Sequence, residues 1–221
     1  MLLSCWSAKG GSGATVVAAA LARMLARRTA DGALLVDLGG DLPHVLGLPP
    51  VEGPGLTDWL AAGEAVPADA LARLEVPVRP GLRLLPRGER PLAHPERAEV
   101  LAAVLGGDPR TVVVDVGTIG RTGVAAEVAA TLARAATESL LVTRPSTLAA
   151  FRARALALSP SGVVLVEERD ATIGRWEVED LVGAPVVAEV PVDATIARAA
   201  DTGALGRSLP RDLERSLRRV A

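Results

Sequence analysis

Seven short apolar segments, most of them separated by helix-like stretches, constrain the fold of this 221-residue chain more than any other feature. They are rich in Val and Leu and lack polar alternation, and they span residues 2–8, 33–37, 82–85, 111–116, 139–143, 162–166 and 185–190. Strands of this composition are buried on both faces, as in parallel sheets. The pattern therefore predicts an α/β fold, with a mostly parallel sheet and helices on both faces, in a single domain over residues 1–221.

Two segments depart from this alternation. Residues 40–58 are rich in Gly and Pro, and we expect an ordered surface excursion there. Residues 206–221 contain several arginines, with Leu213, Leu217 and Val220 spaced to share one helix face. We expect a C-terminal helix that packs on the domain or is solvated, although contact with a membrane or a nucleic acid remains an alternative for this segment.

Composition excludes several classes of protein. Cys5 is the one cysteine, so the chain alone forms no disulfide and no Cys₄ zinc site. A single free thiol, together with a first segment that has no basic residues, leads us to expect a cytoplasmic protein without a secretory signal. The formal net charge of −2 argues against a generally basic nucleic-acid binder. His44 and His94 have no partner at ligand spacing, and we expect both at the surface.

A glycine-rich loop carries the strongest functional signal. Residues 9–15, KGGSGAT, follow the first apolar segment directly and precede an Ala-rich helix. Glycines allow consecutive backbone amides to converge on phosphate oxygens, and the positive end of the helix dipole adds to this. The segment therefore predicts a phosphate-binding loop, and a ligand-free turn is the alternative.

The loop resembles the deviant Walker A motif of the ParA/MinD family, which reads KGGxGK followed by Ser or Thr. This resemblance implies that ATP or ADP binds with Mg²⁺ through Lys9, Gly10, Gly11, Ser12, Gly13, Ala14, Thr15 and Val16. Lys9 matches the signature lysine, which in the family reaches across a dimer interface, and it is the only lysine among 24 basic residues. The second family lysine, which holds the β- and γ-phosphates, is replaced by Ala14.

Two acidic motifs extend the resemblance. ALLVD resembles the second family strand, so that Asp37 matches its first aspartate, whereas Gly39 stands where the water-positioning aspartate is found. Asp41 is expected to be an exposed turn residue. TVVVD resembles the Walker B strand and places Asp115 at its end. The resemblance therefore implies Thr15, Asp37 and Asp115 as Mg²⁺ ligands.

The base-binding motifs are less complete. Val166 stands where the family has an asparagine that reads adenine, and the chain contains no Asn or Gln. Pro191 and Asp193 lie near the expected base pocket. Any recognition of the base would then use backbone groups.

We expect a ParA/MinD-like positioning or scaffold protein with impaired ATP hydrolysis and no assigned catalytic residue. The resemblance is nearest to the CpaE/TadZ and septum-site-determining branches. It implies a homodimer and a protein partner, such as a pilus-secretion ATPase, a division component or chromosome-segregation machinery. We expect no sequence-specific nucleic-acid binding and no membrane contact, because the C-terminal segment is short, lacks aromatic residues and contains Asp212 and Glu214. A slow but genuine ATPase or biosynthetic ligase, and a nucleotide-free interaction scaffold, remain alternatives.

Overall fold

The computed structural model describes residues 1–63, 66–67, 69–168 and 170–221. In this part of the chain one sheet of eight strands has the order β3-β4-β2-β5-β1-β6-β7-β8. The strands are β1 Leu2–Ser7, β2 Ala33–Asp37, β3 Val76–Arg79, β4 Leu82–Leu85, β5 Thr111–Thr118, β6 Glu138–Thr143, β7 Gly162–Glu167 and β8 Val186–Pro191. All neighbours pair in parallel except β3 and β4. The predicted mostly parallel sheet is confirmed.

Helices cover both faces of this sheet, as predicted. They are α1 Ala14–Leu25, α2 Leu42–Leu46, α3 Leu56–Ala61, α4 Ala70–Arg73, α5 Ala98–Gly106, α6 Val124–Ala135, α7 Thr147–Ala155, α8 Arg175–Val182, α9 Ala194–Asp201 and α10 Arg211–Leu217. Two apolar clusters separate them from the sheet: α1, α2, α9 and α10 contribute to one, and α3 to α8 contribute to the other. None of the helices in the described residues has the length and apolar character needed to cross a membrane.

The strand order determines where a ligand would bind. β1 and β5 are neighbours at the centre of the sheet; the connection that leaves β1 leads to β2 in one half, and the connection that leaves β5 leads to β6 in the other. In open parallel sheets the crevice beyond the carboxyl ends of the strands at such a point is the usual ligand site. The glycine-rich loop follows β1 directly and therefore lies at this crevice.

Two features of the half of the sheet formed by β2, β3 and β4 differ from the prediction. Residues 40–58 do not form a purely surface excursion, because they contain α2 and the start of α3, and Leu42 and Leu56 are fully buried. Because this segment is rich in Gly and Pro, its two short apolar helices were not recognised from the sequence. Strand β3 was not predicted, because Pro77 interrupts its four residues and it pairs only along one edge.

The C-terminal segment packs on the domain. Helix α10 is shorter than the predicted 206–221, and its Leu213 and Leu217 are fully buried beside β8 and α1. Trp59 is also buried, and the Arg97 guanidinium lies 4.1 Å from its ring centroid. His44 and His94 are exposed, as expected.

Candidate functional site

The loop between β1 and α1 has the backbone shape of an anion cradle. Gly11 and Gly13 have φ of 75° and 92°, a region that L side chains rarely adopt. The Ser12 hydroxyl donates to the Lys9 carbonyl oxygen at 2.7 Å, which holds the loop closed on itself. No side chain in the described residues caps the first turn of α1 at Gly13. The amides of this turn are therefore available to an anion.

A cavity of about 650 Å³, which we call the central cavity, opens beside this loop. It lies between the loop, the ends of β2 and β5, and the segment after β4. Its walls include Gly11, Ser12, Gly13, Ala14, Thr15, Val16, Leu38, Gly39, Asp41, Arg87, Gly117, Thr118 and Asp201. The predicted residues 11–16 thus share one cavity.

Asp115 is the most unusual polar group beside the central cavity. It is fully buried near the end of β5; its Oδ1 accepts a hydrogen bond from the Gly117 amide at 3.1 Å, whereas its Oδ2 has no partner in the described residues. Burial raises the pKa of Asp115 to about 7; contact with Thr15 lowers it, and the nearby charge of Asp37 raises it. A buried carboxylate oxygen without a partner is costly unless a cation or donor completes it.

Asp37 is paired with Asp115 across β2 and β5 but has a different environment. Its Oδ1 accepts from the Gly40 amide at 2.6 Å and its Oδ2 from the Leu42 amide at 3.3 Å. Burial raises the pKa of Asp37 to about 6, and these two amides oppose that shift. Both oxygens of Asp37 thus hold the 38–41 loop, whereas Asp115 keeps one oxygen open.

The polar groups of the central cavity suit a magnesium ion that is shared with a ligand. Thr15 and Asp115 supply a hydroxyl and a carboxylate oxygen, which are donors that Mg²⁺ accepts. In the described residues there is no cluster of three or more acidic, His or Cys side chains for a metal. Mg²⁺ commonly takes one or two carboxylates and completes its shell with water and phosphate oxygens. Thr15 and Asp115 therefore fit the ion, whereas each oxygen of Asp37 already accepts one backbone amide.

Two side chains are missing from this arrangement. A Cβ at Gly39 would lie 3.7 Å from Asp115 Oδ2 and 3.9 Å from Asp37 Oδ1, so a side chain at this position would point at the carboxylates. Ala14 is buried in the first turn of α1 and offers no charge. The central cavity therefore has main-chain donors in its wall and the buried carboxylates of Asp37 and Asp115 beside it. It has neither an acidic side chain at residue 39 nor a cationic one at residue 14.

Lys9 faces a second cavity. This lysine cavity of about 440 Å³ is lined by Lys9, Gly10, Gly11, Ser12, Arg144, Pro145, Ser146, Ala149, Glu168, Asp170, Ala171 and Thr172. Lys9 is exposed, and the Arg144 guanidinium on the opposite wall donates to Glu168. Lys9 thus lines the lysine cavity and not the central cavity, whereas Gly11 and Ser12 line both.

No protein-family model and no curated protein matches the sequence. Solved structures match most of it. A ParA family ATPase from Chlorobium tepidum is 22% identical with a TM-score of 0.75, covering 97% of this chain and 95% of that chain. The septum site-determining protein MinD from Pyrococcus horikoshii, complexed with Mg-ADP, is 21% identical with a TM-score of 0.77, covering 99% and 93%. A chain of the MinC:MinD cell division protein complex from Aquifex aeolicus is 20% identical with a TM-score of 0.76, covering 100% and 95%. The chain has the ParA/MinD fold.

An acidic cavity lies beside the ends of β7 and β8, where the base pocket was predicted. A cavity of about 1010 Å³, which we call the β7/β8 cavity, adjoins the lysine cavity. Of the described residues that line it, six are acidic and two basic: Glu167, Glu168, Asp170, Glu189, Asp193 and Asp212 against Arg175 and Arg215. Pro191 also lines it, so the structure brings the two predicted base-pocket residues together.

Asp193 and Val166 have other neighbours as well. The Asp193 Oδ1 accepts from the Thr195 and Ile196 amides at 2.7 and 3.2 Å, and these bonds keep the pKa of Asp193 below its usual value. Asp193 is therefore the N-cap of α9. Val166 lies against the phosphate loop instead, since its Cγ2 is 3.9 Å from the position of a Cβ on Gly13.

Arg87 was not predicted from the sequence. It lies two residues beyond β4, lines the central cavity, and donates to the Leu38 carbonyl oxygen. Its charge lowers the pKa of Asp37. The pairing of β4 with β2 was the available signal, because parallel neighbours end at the same edge of the sheet.

Proposed function

We propose that this chain is a ParA/MinD-like P-loop protein that binds ATP or ADP with Mg²⁺, hydrolyses ATP slowly or not at all, and acts as a positioning or scaffold protein. One observation carries the proposal. The loop at Gly11 and Gly13 retains the backbone of an anion cradle beside an open oxygen of Asp115, while Ala14 and Gly39 lack the side chains that would act on a phosphate or a water.

Slow hydrolysis is expected because residues 14 and 39 carry no charged side chain. Phosphoryl transfer depends on positioning and on electrostatic stabilisation of the transferring group. Losing a charged donor costs about 1.5–3 kcal/mol in binding, and losing a single transition-state donor costs about 10²–10³-fold in rate. At residue 39 there is no acidic side chain to orient a water. Binding therefore depends on main-chain amides, which remain, whereas turnover depends on side chains, which are absent.

The metal would be held by Thr15 and Asp115. When bound, Mg²⁺ neutralises charge on phosphate oxygens and bridges them to the protein. The Asp115 Oδ2 atom is the described group best placed to accept it, because its other oxygen is already occupied by the Gly117 amide. The Mg-ADP complex of the Pyrococcus MinD supports the same chemistry for this fold.

Dimerisation and partner binding complete the proposal. Lys9 lies outside the central cavity and is exposed, which suits a residue that reaches a second subunit in a homodimer. A chain of the MinC:MinD complex shares this fold, which supports a protein partner. We propose a division component, a pilus-secretion ATPase or chromosome-segregation machinery as that partner, a CpaE/TadZ-like branch, and a cytoplasmic location. The proposal includes neither sequence-specific nucleic-acid binding nor membrane contact.

A slow but genuine ATPase is the second candidate. The open Asp115 oxygen beside Thr15 favours it, because a metal site without any catalytic use is not required for a scaffold. This candidate predicts a turnover that Lys9→Ala abolishes, whereas the first candidate predicts little or no turnover in the wild type.

The two candidates can be separated by one pair of assays on the full chain. ATP–Mg binding is measured by isothermal titration, and phosphate release is measured for the wild type and for Ala14→Lys. We expect the wild type to bind and to release phosphate at least tenfold more slowly than Ala14→Lys. Ala103→Lys, which adds the same charge at an exposed site on α5, should behave as the wild type. Release by the wild type at the rate of Ala14→Lys would favour an enzyme, and absence of binding would leave the nucleotide-free scaffold.

A further inference from the structure

Arg87 is the basic group of the central cavity. Among the described residues that line this cavity, it is the one Lys or Arg, and Asp41 and Asp201 also line it. Asp37 and Asp115 lie at the adjacent strand ends. A phosphate group entering this cavity would meet several carboxylates and a single full positive charge.

The Arg87 side chain is held so that most of its donors stay open. One guanidinium nitrogen, Nη1, donates to the Leu38 carbonyl oxygen. The Cδ atom would lie 3.3 Å from a Cβ on Gly40, so the stem crosses the 38–41 loop closely. In the described part of the chain Arg87 makes no ion pair within 4.0 Å. A guanidinium has five N–H donors in a planar fork, and those not bonded to Leu38 can bind an anion.

The position of Arg87 opposite the cradle determines which phosphate it would meet. The phosphate loop and the first turn of α1 form one wall of the central cavity, and Arg87 stands on the 38–41 side of it. The cradle amides hold the phosphates nearest the helix N-terminus. A group further along a polyphosphate chain would extend into the cavity, where an arginine can bind it with two parallel hydrogen bonds.

We infer that Arg87 is the cation that binds the terminal phosphate of a nucleoside triphosphate in the central cavity, and that it distinguishes the triphosphate from the diphosphate. This inference rests on the proposed nucleotide binding. It gives the cavity a charge that residue 14 does not supply. If Arg87 had only a structural role and did no more than hold the Leu38 carbonyl, its replacement would change the affinities for the triphosphate and the diphosphate equally.

The test compares ATP–Mg and ADP–Mg affinity by isothermal titration on the full chain. Arg87→Gln removes the charge but keeps an N–H donor for Leu38, so the loop contact has a replacement. We expect Arg87→Gln to weaken ATP binding about tenfold and ADP binding less than threefold. Arg87→Lys should recover part of the ATP affinity. The control is Arg90→Ala on the same segment, where the Arg90 side chain is exposed and paired with Asp58 at 2.9 Å; it should change neither affinity.

A second cation sharpens the test. In the Ala14→Lys background, which places an ammonium in the same cavity, Arg87→Gln should weaken ATP binding by a smaller factor than in the wild type. Equal weakening of ATP and ADP, or unchanged ATP binding with an unchanged melting temperature, would overturn the role of Arg87 while leaving nucleotide binding in place. A wild type that binds neither nucleotide would overturn the proposed function and this inference together.

Discussion

The two ends of the ligand crevice differ in what the protein uses to form them. At the predicted phosphate end the available donors are backbone amides, and their direction is fixed by Gly11 and Gly13 at positive φ. At the predicted base end, the β7/β8 cavity is lined by side chains, and most of the charged ones among its described residues are acidic.

The comparison shows which part of a site survives substitution. An amide remains a donor whatever side chain its residue carries, so replacing a lysine by Ala14 leaves the cradle in place. Recognition of a base edge needs particular donors and acceptors, and at Val166 no such group is present. Phosphate binding without base selectivity and without fast turnover is the expected result.

Destroying the cradle should have the largest effect. Gly13→Val places a β-branched residue at φ 92°, a conformation that costs about 1–3 kcal/mol, with Val166 in contact. The loop must then rearrange, and we expect nucleotide binding to fall at least a hundredfold in isothermal titration.

The matched control is Gly183→Val. Gly183 has φ 77°, is the C-cap of α8, and has no atom within 4 Å of an added Cβ. It carries comparable left-handed backbone strain, does not line the central cavity, and should leave binding within twofold of the wild type. Equal loss in both variants would mean that strain, and not the cradle, explains the first result.

Asp115→Asn should have an intermediate effect with opposite signs for stability and binding. Burial raises the pKa of Asp115 to about 7, against about 3.9 in an unfolded chain. Protonation therefore favours the folded state, and stability is lost as the pH rises from about 4 through 7. Without Mg²⁺, Asp115→Asn should raise the free energy of unfolding at pH 8 by about 1–3 kcal/mol and flatten its dependence on pH.

The same variant should weaken Mg²⁺-dependent ATP binding about tenfold, because the open carboxylate oxygen loses its charge. Chemical denaturation from pH 5 to 8 and titration with ATP–Mg measure the two effects. Asp31→Asn, at an exposed site, should change neither. A variant that is less stable than the wild type at pH 8 would contradict the assigned cost of this buried charge.

Introducing an amide side chain at residue 166 should have the smallest effect. Val166→Asn places a donor and an acceptor beside the phosphate loop, and a neutral hydrogen bond contributes about 0.5–1.5 kcal/mol. We expect ATP affinity to rise about two- to tenfold, with little change for inorganic triphosphate, which has no base. Val166→Thr is the control for added polarity. A similar gain for triphosphate would show that the new side chain contacts phosphate.

The architecture could be predicted well because parallel strands that are buried on both faces have uninterrupted apolar sequences. All seven predicted strands are present, with ends within two residues of those observed. Strand β3 was not predicted, because Pro77 interrupts its apolar sequence and because, as an edge strand, it pairs with β4 alone. Leu42 and Leu56 were missed as core residues because the apolar i, i+3, i+4 sets they begin fill only one helical turn each and lie among Gly and Pro.

The site was predictable where one segment forms it and unpredictable where several meet. The loop at 9–15 and the position of Asp115 follow from single strand ends. The unequal hydrogen bonding of Asp37 and Asp115, and the approach of Arg87 to Leu38, depend on contacts between segments far apart in the chain. No local pattern encodes such contacts.

The central claim is that backbone amides of the phosphate loop bind the nucleotide. Titration of ¹⁵N-labelled protein with ATP–Mg, followed by the amide resonances of Gly10, Gly11, Gly13 and Thr15, tests it most directly. The account predicts large, saturable shifts of these amides, with the resonance of Gly183 at the end of α8 unchanged. Resonances of residues 10–15 that stay in place at saturating ATP–Mg would contradict it.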